Sequence, residues 1–195
     1  MKKSLLLGVT FLSVSLYASQ TMYVSSVENL FENADTTSRK GRLLPTSKVE
    51  VIDTIGAKVK VEIEGFRKAG VPNAIYYVKG QRILMAGLSK KNDFNIKKIS
   101  SSKDENGVEW EKVVLTAYTN KKNLVEDLET LYSKAESLYK NNCSICHPSH
   151  PIHEFTANQW PSMFKAMVNR TAISKKDGYL VTQYLQKHAK DMKGE

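Results

Sequence analysis

Residues 141–155 read NNCSICHPSHPIHEF and hold the only two cysteines of the chain with three of its four histidines. Within them, Cys143-Ser144-Ile145-Cys146-His147 has the spacing C-x-x-C-H, the attachment signature of a c-type haem. Two thiols three positions apart on a helical turn reach both vinyl groups of one porphyrin edge. The next residue then carries its imidazole under the iron. The expected chemistry is one covalent haem c on Cys143 and Cys146, with His147 as proximal axial ligand.

Two rival chemistries use the same residues. A Cys-x-x-Cys disulfide of the redox-active kind opens a helix in a thioredoxin-like βαβ unit, and no such unit is visible around Cys143. Zinc has Cys143, Cys146, His147, His150 and His153 on offer, but tetrahedral sites pair a C-x-x-C with a second, distant pair, and His147 is badly placed beside Cys146. His150, three residues past His147, reads as a loop histidine. Met163, Met167, His153 and His188 remain for the distal position.

The elements around the motif change character near Asn123. From there Leu124, Leu128, Leu131, Ala135, Leu138 and Tyr139 recur at helical spacing and lead straight into Cys143. Thr156 and Gln159, at capping-box spacing with Pro161 in a first turn, open a second helix; Ser174 with Asp177 opens a third. Between residue 20 and about 120 the period is two: Val59, Val61 and Ile63 alternate with Lys58, Lys60, Glu62 and Glu64. Gly56, Gly70, Gly80 and Asn106-Gly107 punctuate these strands. The stretches 48–66 and 95–119 echo one another as strand, turn, strand, and the first loosely resembles a bacterial SH3-like module without its usual tryptophan.

The fold expected is α+β: an N-terminal SH3-like small β-barrel or sandwich over 19–121, then an all-α class I-like cytochrome c domain over 122–195. Residues 1–18 read as a signal peptide. Lys2 and Lys3 precede an apolar run from Leu5 to Leu16, broken by Thr10, Ser13 and Ser15 and ending at Tyr17-Ala18-Ser19, too short for a membrane anchor. Cleavage after Ala18 makes the product periplasmic and soluble. Its formal charge falls from +9 to +7 with the loss of Lys2 and Lys3. Exported chains do not meet nucleic acid, and the lysines are scattered, so the excess suits an acidic docking patch on a partner protein. Lys140, Lys165, Lys175, Lys176 and Lys187 are the lysines expected around an exposed haem edge.

The stretch CSICHPSHPIHEFTANQWPSMFKAM and the ending YLQKHAKD resemble the C-terminal monohaem region of the TorC/DorC-type pentahaem cytochromes. GRLLPTSKVEV, VKVEIEGF and GQRILMAGLSK extend the resemblance over nearly the whole mature chain. It implies single-electron transfer in anaerobic respiration to a molybdenum-dependent trimethylamine N-oxide or dimethyl sulfoxide reductase. The four further C-x-x-C-H motifs and the membrane anchor of that family's quinol-oxidising part are missing, so electrons are expected from a separate membrane-bound quinol-oxidising donor. The family tends to bis-histidine ligation, which implies His153 or His188 as distal ligand. Similarity to small class I cytochromes implies Met167, taken here as first choice.

An electron carrier rather than an enzyme is therefore expected. A haem peroxidase would need convergent acid–base groups over an open iron, and Arg170 is the only arginine of the helical region. A redox sensor or an assembly factor that docks a reductase through the β region is the remaining alternative.

Overall fold

The computed structural model describes residues 19–145 and 148–192. Ten strands form one antiparallel sheet: β1 Gln20–Val24, β2 Glu28–Leu30, β3 Gly41–Leu43, β4 Lys48–Ile55, β5 Lys58–Lys68, β6 Ala74–Tyr76, β7 Leu84–Leu88, β8 Asn95–Lys103, β9 Glu109–Asn120 and β10 Leu124–Val125. β5 organises it, because its alternation of valine and isoleucine with charged residues buries Val59, Val61 and Ile63 on one face. One edge of β5 pairs with β9 along its whole length, from Lys58 opposite Asn120 to Lys68 opposite Trp110. The other edge is shared, first by β4 and then by β6 at Phe66 and Tyr76.

The path then runs β6, β7, β3, β2 and curls into a half-barrel. Just past β2, Phe31 exchanges two backbone hydrogen bonds of 2.9 Å with Tyr118 of β9. The curl brings Gly65 close to its neighbour: a Cβ there would stand 2.6 Å from Ile75 Cγ2 and 2.8 Å from the Tyr76 carbonyl oxygen. Only glycine fits. The β8–β9 turn is set by Gly107 at φ 77° and by Asp104, whose carboxylate accepts from the Asn106 and Val108 amides at 2.9 Å each.

Three α-helices follow: α1 Leu128–Cys143, α2 Trp160–Val168 and α3 Lys175–Lys187. Local chemistry fixes their starts. Asp127 accepts from the Glu129 and Thr130 amides at 2.9 and 3.2 Å, and Ser174 accepts from Asp177 at 3.1 Å. Before α2, the Gln159 side chain reaches back to the Thr156 amide at 3.0 Å. The helical stripe, however, starts later than its spacing suggests. Leu124 and Val125 are β10 and pair with Val24 and Tyr23 of β1, so the sheet takes the first position of the stripe.

The expected small SH3-like barrel or sandwich followed by an all-α class I-like cytochrome domain is not what forms. The chain is mostly β, and the three helices do not close a core of their own. The second hydrophobic cluster joins Leu131, Ala135, Trp160, Phe164, Val181 and Leu185 to Ile83 of the sheet region, with Tyr23, Tyr77, Val78 and Val125 packed against it. Polar ties cross the same seam: Gln183 Nε2 donates to the Leu84 carbonyl at 2.9 Å, and the Arg82 amide donates to Asn158 Oδ1 at 2.7 Å. The physical reason is size. Helices of 9 and 13 residues offer too little apolar face to bury one another, and the sheet supplies the missing side.

Candidate functional site

Cys143 is the last residue of α1 and is half-buried. Its side chain packs on the second cluster, whose buried member Tyr139 lies one turn earlier on α1, and burial pushes its pKa up from the ordinary thiol value. A helix C-terminus carries the negative end of the helix dipole, which also disfavours a thiolate. Redox-active cysteines need the opposite environment, a helix N-terminus or a nearby cation, so Cys143 is not placed as a dithiol nucleophile. Cys146 and His147 lie outside the described residues.

Around Cys143 the chain builds an aromatic wall. The Tyr139 and Trp160 rings meet edge-on at 6.0 Å, Phe155 meets Trp160 at 5.0 Å, and His150 meets Phe155 at 5.1 Å. Their polar atoms are tied off, with the Tyr139 hydroxyl donating to the His150 carbonyl at 2.9 Å and Trp160 Nε1 donating to the Ile152 carbonyl at 3.0 Å. Ile145, between the two cysteines, leaves its side chain 74 % exposed. An apolar wall behind one cysteine and an uncovered isoleucine beside it fit a flat, apolar, thioether-bound group such as a porphyrin.

The distal candidates fall in two places. Met163 and Met167 lie one turn apart on α2, both partly buried, and Met163 packs on the cluster that holds Cys143. His153, in the short 3-10 turn Ile152–Glu154, and His188, at the C-cap of α3, line a separate pocket of roughly 180 Å³ with Tyr77, Tyr132, Lys187 and Met192. Tyr132 precedes Cys143 by eleven residues on α1, about 16 Å along the axis. His188 Nδ1 sits 2.8 Å from the Tyr184 carbonyl, and the ring stands edge-on to Tyr132 at 4.7 Å. His150 pairs with Glu154 at 3.0 Å.

Of the lysines expected around a haem edge, Lys140 is paired with Glu136 at 2.7 Å and Lys165, Lys175 and Lys176 are exposed. Lys187 differs. Its Nζ donates to the Thr46 carbonyl at 2.9 Å and stands 4.2 Å over the Tyr77 ring, and burial pushes its pKa down to about 7. It joins α3 to the sheet rather than facing a partner, a role no local signal announces because Thr46 is 141 positions away. Arg170 is exposed just past α2. Among the described residues, no helix is long and apolar enough to cross a membrane.

Comparison with known proteins adds the lineage. The chain is 27 % identical over 180 residues to cytochrome c-type protein TorC of Escherichia coli K12, covering 91 % of this chain and 46 % of that protein. It is 32 % identical over 163 residues to cytochrome c-type protein TorY of Escherichia coli O157:H7, covering 80 % and 43 % respectively. TorY of Haemophilus influenzae is 28 % identical over 166 residues, covering 83 % and 45 %. The chain thus spans less than half the length of these relatives. No solved structure matches. Residues 17–124 match the TorC third cytochrome c domain, a stretch that is almost wholly the sheet and ends before either cysteine. With that match over more than half its length, the chain belongs to the TorC family of c-type cytochromes, proteins defined by covalently bound haem c.

Proposed function

We propose that this chain is a periplasmic monohaem cytochrome that passes single electrons from a membrane-bound quinol-oxidising donor to a terminal reductase, of the molybdenum-dependent trimethylamine N-oxide or dimethyl sulfoxide type. The observation that carries the reading is Cys143: it opens a C-x-x-C-H motif, closes α1, and backs onto an aromatic wall in a chain of the TorC family. When bound, haem c supplies a reversible one-electron change at its iron. Cys143 and Cys146 would hold it by thioethers, and His147 would ligate its iron. Tyr139, Phe155 and Trp160 keep water from one side of the site, which together with the axial ligands tunes the potential.

Met167 is the distal ligand in this reading. It is supported by its place on α2, one turn from Met163, which packs on the Cys143 cluster. His153 and His188, the alternatives, line a pocket with Tyr132. Residues 1–18 are the leader, 19–121 the scaffold and 122–195 the haem-bearing part.

The test is spectroscopic. Cys143→Ala is expected to lose normal thioether attachment, read as loss of the covalent haem band after denaturation. Met167→Ala is expected to remove the sulfur-to-iron absorption at the red end of the oxidised spectrum, while His153→Ala and His188→Ala keep it. A Met167→Ala protein with an unchanged spectrum, alongside a His188→Ala or His153→Ala protein turned high spin, moves the ligand to that histidine.

A further inference from the structure

A groove of about 720 Å³ runs between α2 and α3, and neither Cys143 nor any distal-ligand candidate lines it. Its floor is apolar, from Pro161, Phe164, Val168 and Ile173. Lys165 and Lys175 stand at its rim, and among the described residues no carboxylate lines it. We propose that this groove is the docking seat for an acidic segment of the redox partner, in which an apolar side chain enters between carboxylates that meet Lys165 and Lys175. The proposal rests on the electron-carrier reading and names the surface through which that carrier is recognised.

Gly178 is the second observation. It lies on the groove, inside α3, where glycine is about 1 kcal/mol less favourable than alanine. Nothing in the fold demands it. Its φ is not in the left-handed region, and a Cβ built there meets only Phe164 Cε1, at an ordinary 3.8 Å. A residue that weakens its helix without a packing reason is accounted for by the space it leaves open, and that space is the groove. This space is not the wall behind Cys143. At 100° per residue, Trp160, Met163 and Met167 share one face of α2, and Trp160 meets Tyr139 there. Pro161, Lys165 and Val168 turn about a quarter of the circumference or more away, toward α3.

The chemistry fits a transient partner. An electron carrier must be met quickly and released, so a small interface steered by charge and anchored by one side chain serves better than a broad apolar one. Lys165 and Lys175 have no ion pair among the described residues, whereas Lys134 and Lys140 on α1 are each paired, with Asp177 and Glu136. The uncompensated cations of the helical half thus include the two at the groove.

The experiment uses the haem-loaded, isotope-labelled protein and a short synthetic peptide with one phenylalanine between two pairs of glutamates. Amide shifts confined to residues 161–182 are expected, screened out by salt and absent with the same peptide carrying lysines for glutamates. Gly178→Ala is expected to raise the thermal midpoint by about 2–4 °C and to weaken the peptide about fivefold, because the added methyl takes floor space from the anchor. Gly178→Leu should abolish the shifts, and Lys165→Glu with Lys175→Glu should exchange the preference toward the lysine peptide. Binding that survives Gly178→Leu unchanged overturns the proposal. So does a Gly178→Ala protein with an altered haem spectrum or midpoint potential, since the groove would then belong to the haem. Failure of the carrier reading shows elsewhere, as a chain that small-molecule donors cannot reduce.

Discussion

Replacing Lys187 with methionine is expected to stabilise the protein, even though it removes a hydrogen bond and a cation–π contact. Burial pushes the pKa of the Lys187 ammonium down to about 7, against 10.5 for a free lysine. Keeping it charged inside the fold at pH 6 therefore costs about 5 kcal/mol at 1.36 kcal/mol per unit. Two contacts stand against that cost: the 2.9 Å hydrogen bond to the Thr46 carbonyl and the Tyr77 face at 4.2 Å. Both favour the ammonium and reduce that cost without removing it. Methionine keeps the aliphatic stem without the charge. The sign with pH follows from proton counting. Between pH 7 and 10.5 the unfolded chain holds a proton on this residue that the folded chain has released, so stability rises with pH through that window and the penalty is full below it. Urea unfolding of the haem-loaded parent and Lys187→Met proteins at pH 6, 8 and 10 measures the difference with all other groups cancelled. The mutant should be more stable at pH 6, with its lead gone by pH 10. Curves that stay parallel across the range, or a mutant weaker at pH 6, would show that the ammonium is better solvated than its surroundings indicate.

The sheet and the helices can be tested in the same way. Gly65→Ala is expected to cost about 2–3 kcal/mol, read by urea unfolding, because its Cβ meets the Tyr76 backbone at 2.8 Å and has no flexible end to displace. Asp127→Ala removes acceptors from two amides at the start of α1 and should lower the urea midpoint, with the loss smaller below the depressed Asp127 pKa. A fragment of residues 122–195 is expected to show little helical circular dichroism and to expose its cluster to solvent, since Ile83, Tyr77 and Tyr23 no longer cover it. A fragment with full native helicity would mean that the sheet is dispensable to the core.

What could be read from residues alone follows the distance over which each feature is decided. The C-x-x-C-H motif, the Ser174 cap on Asp177 and the Gln159 return to Thr156 are decided within five positions, and the alternation along β5 within one strand. Leu124 satisfied the helical period of α1 and still became a strand residue, because Val24, a hundred positions earlier, offered a ladder partner before the Asp127 cap could start the helix. The all-α reading of residues 122–195 erred for the same reason on a larger scale. Leu131, Ala135 and Val181 have the pattern of faces that pack on helices, and the pattern does not name the partner that completes the cluster, which includes Ile83. Lys187 is the sharpest case: in the sequence it is one of several lysines on an amphipathic helix, and the Tyr77 ring together with the Thr46 loop, held at φ 61° and tied by the Val24–Thr46 hydrogen bond, takes its ammonium largely out of water. A periodic stripe reports that a face will be buried. Which surface buries it, and therefore which of its flanking charges survive as solvated groups for a partner to meet, is settled by the fold.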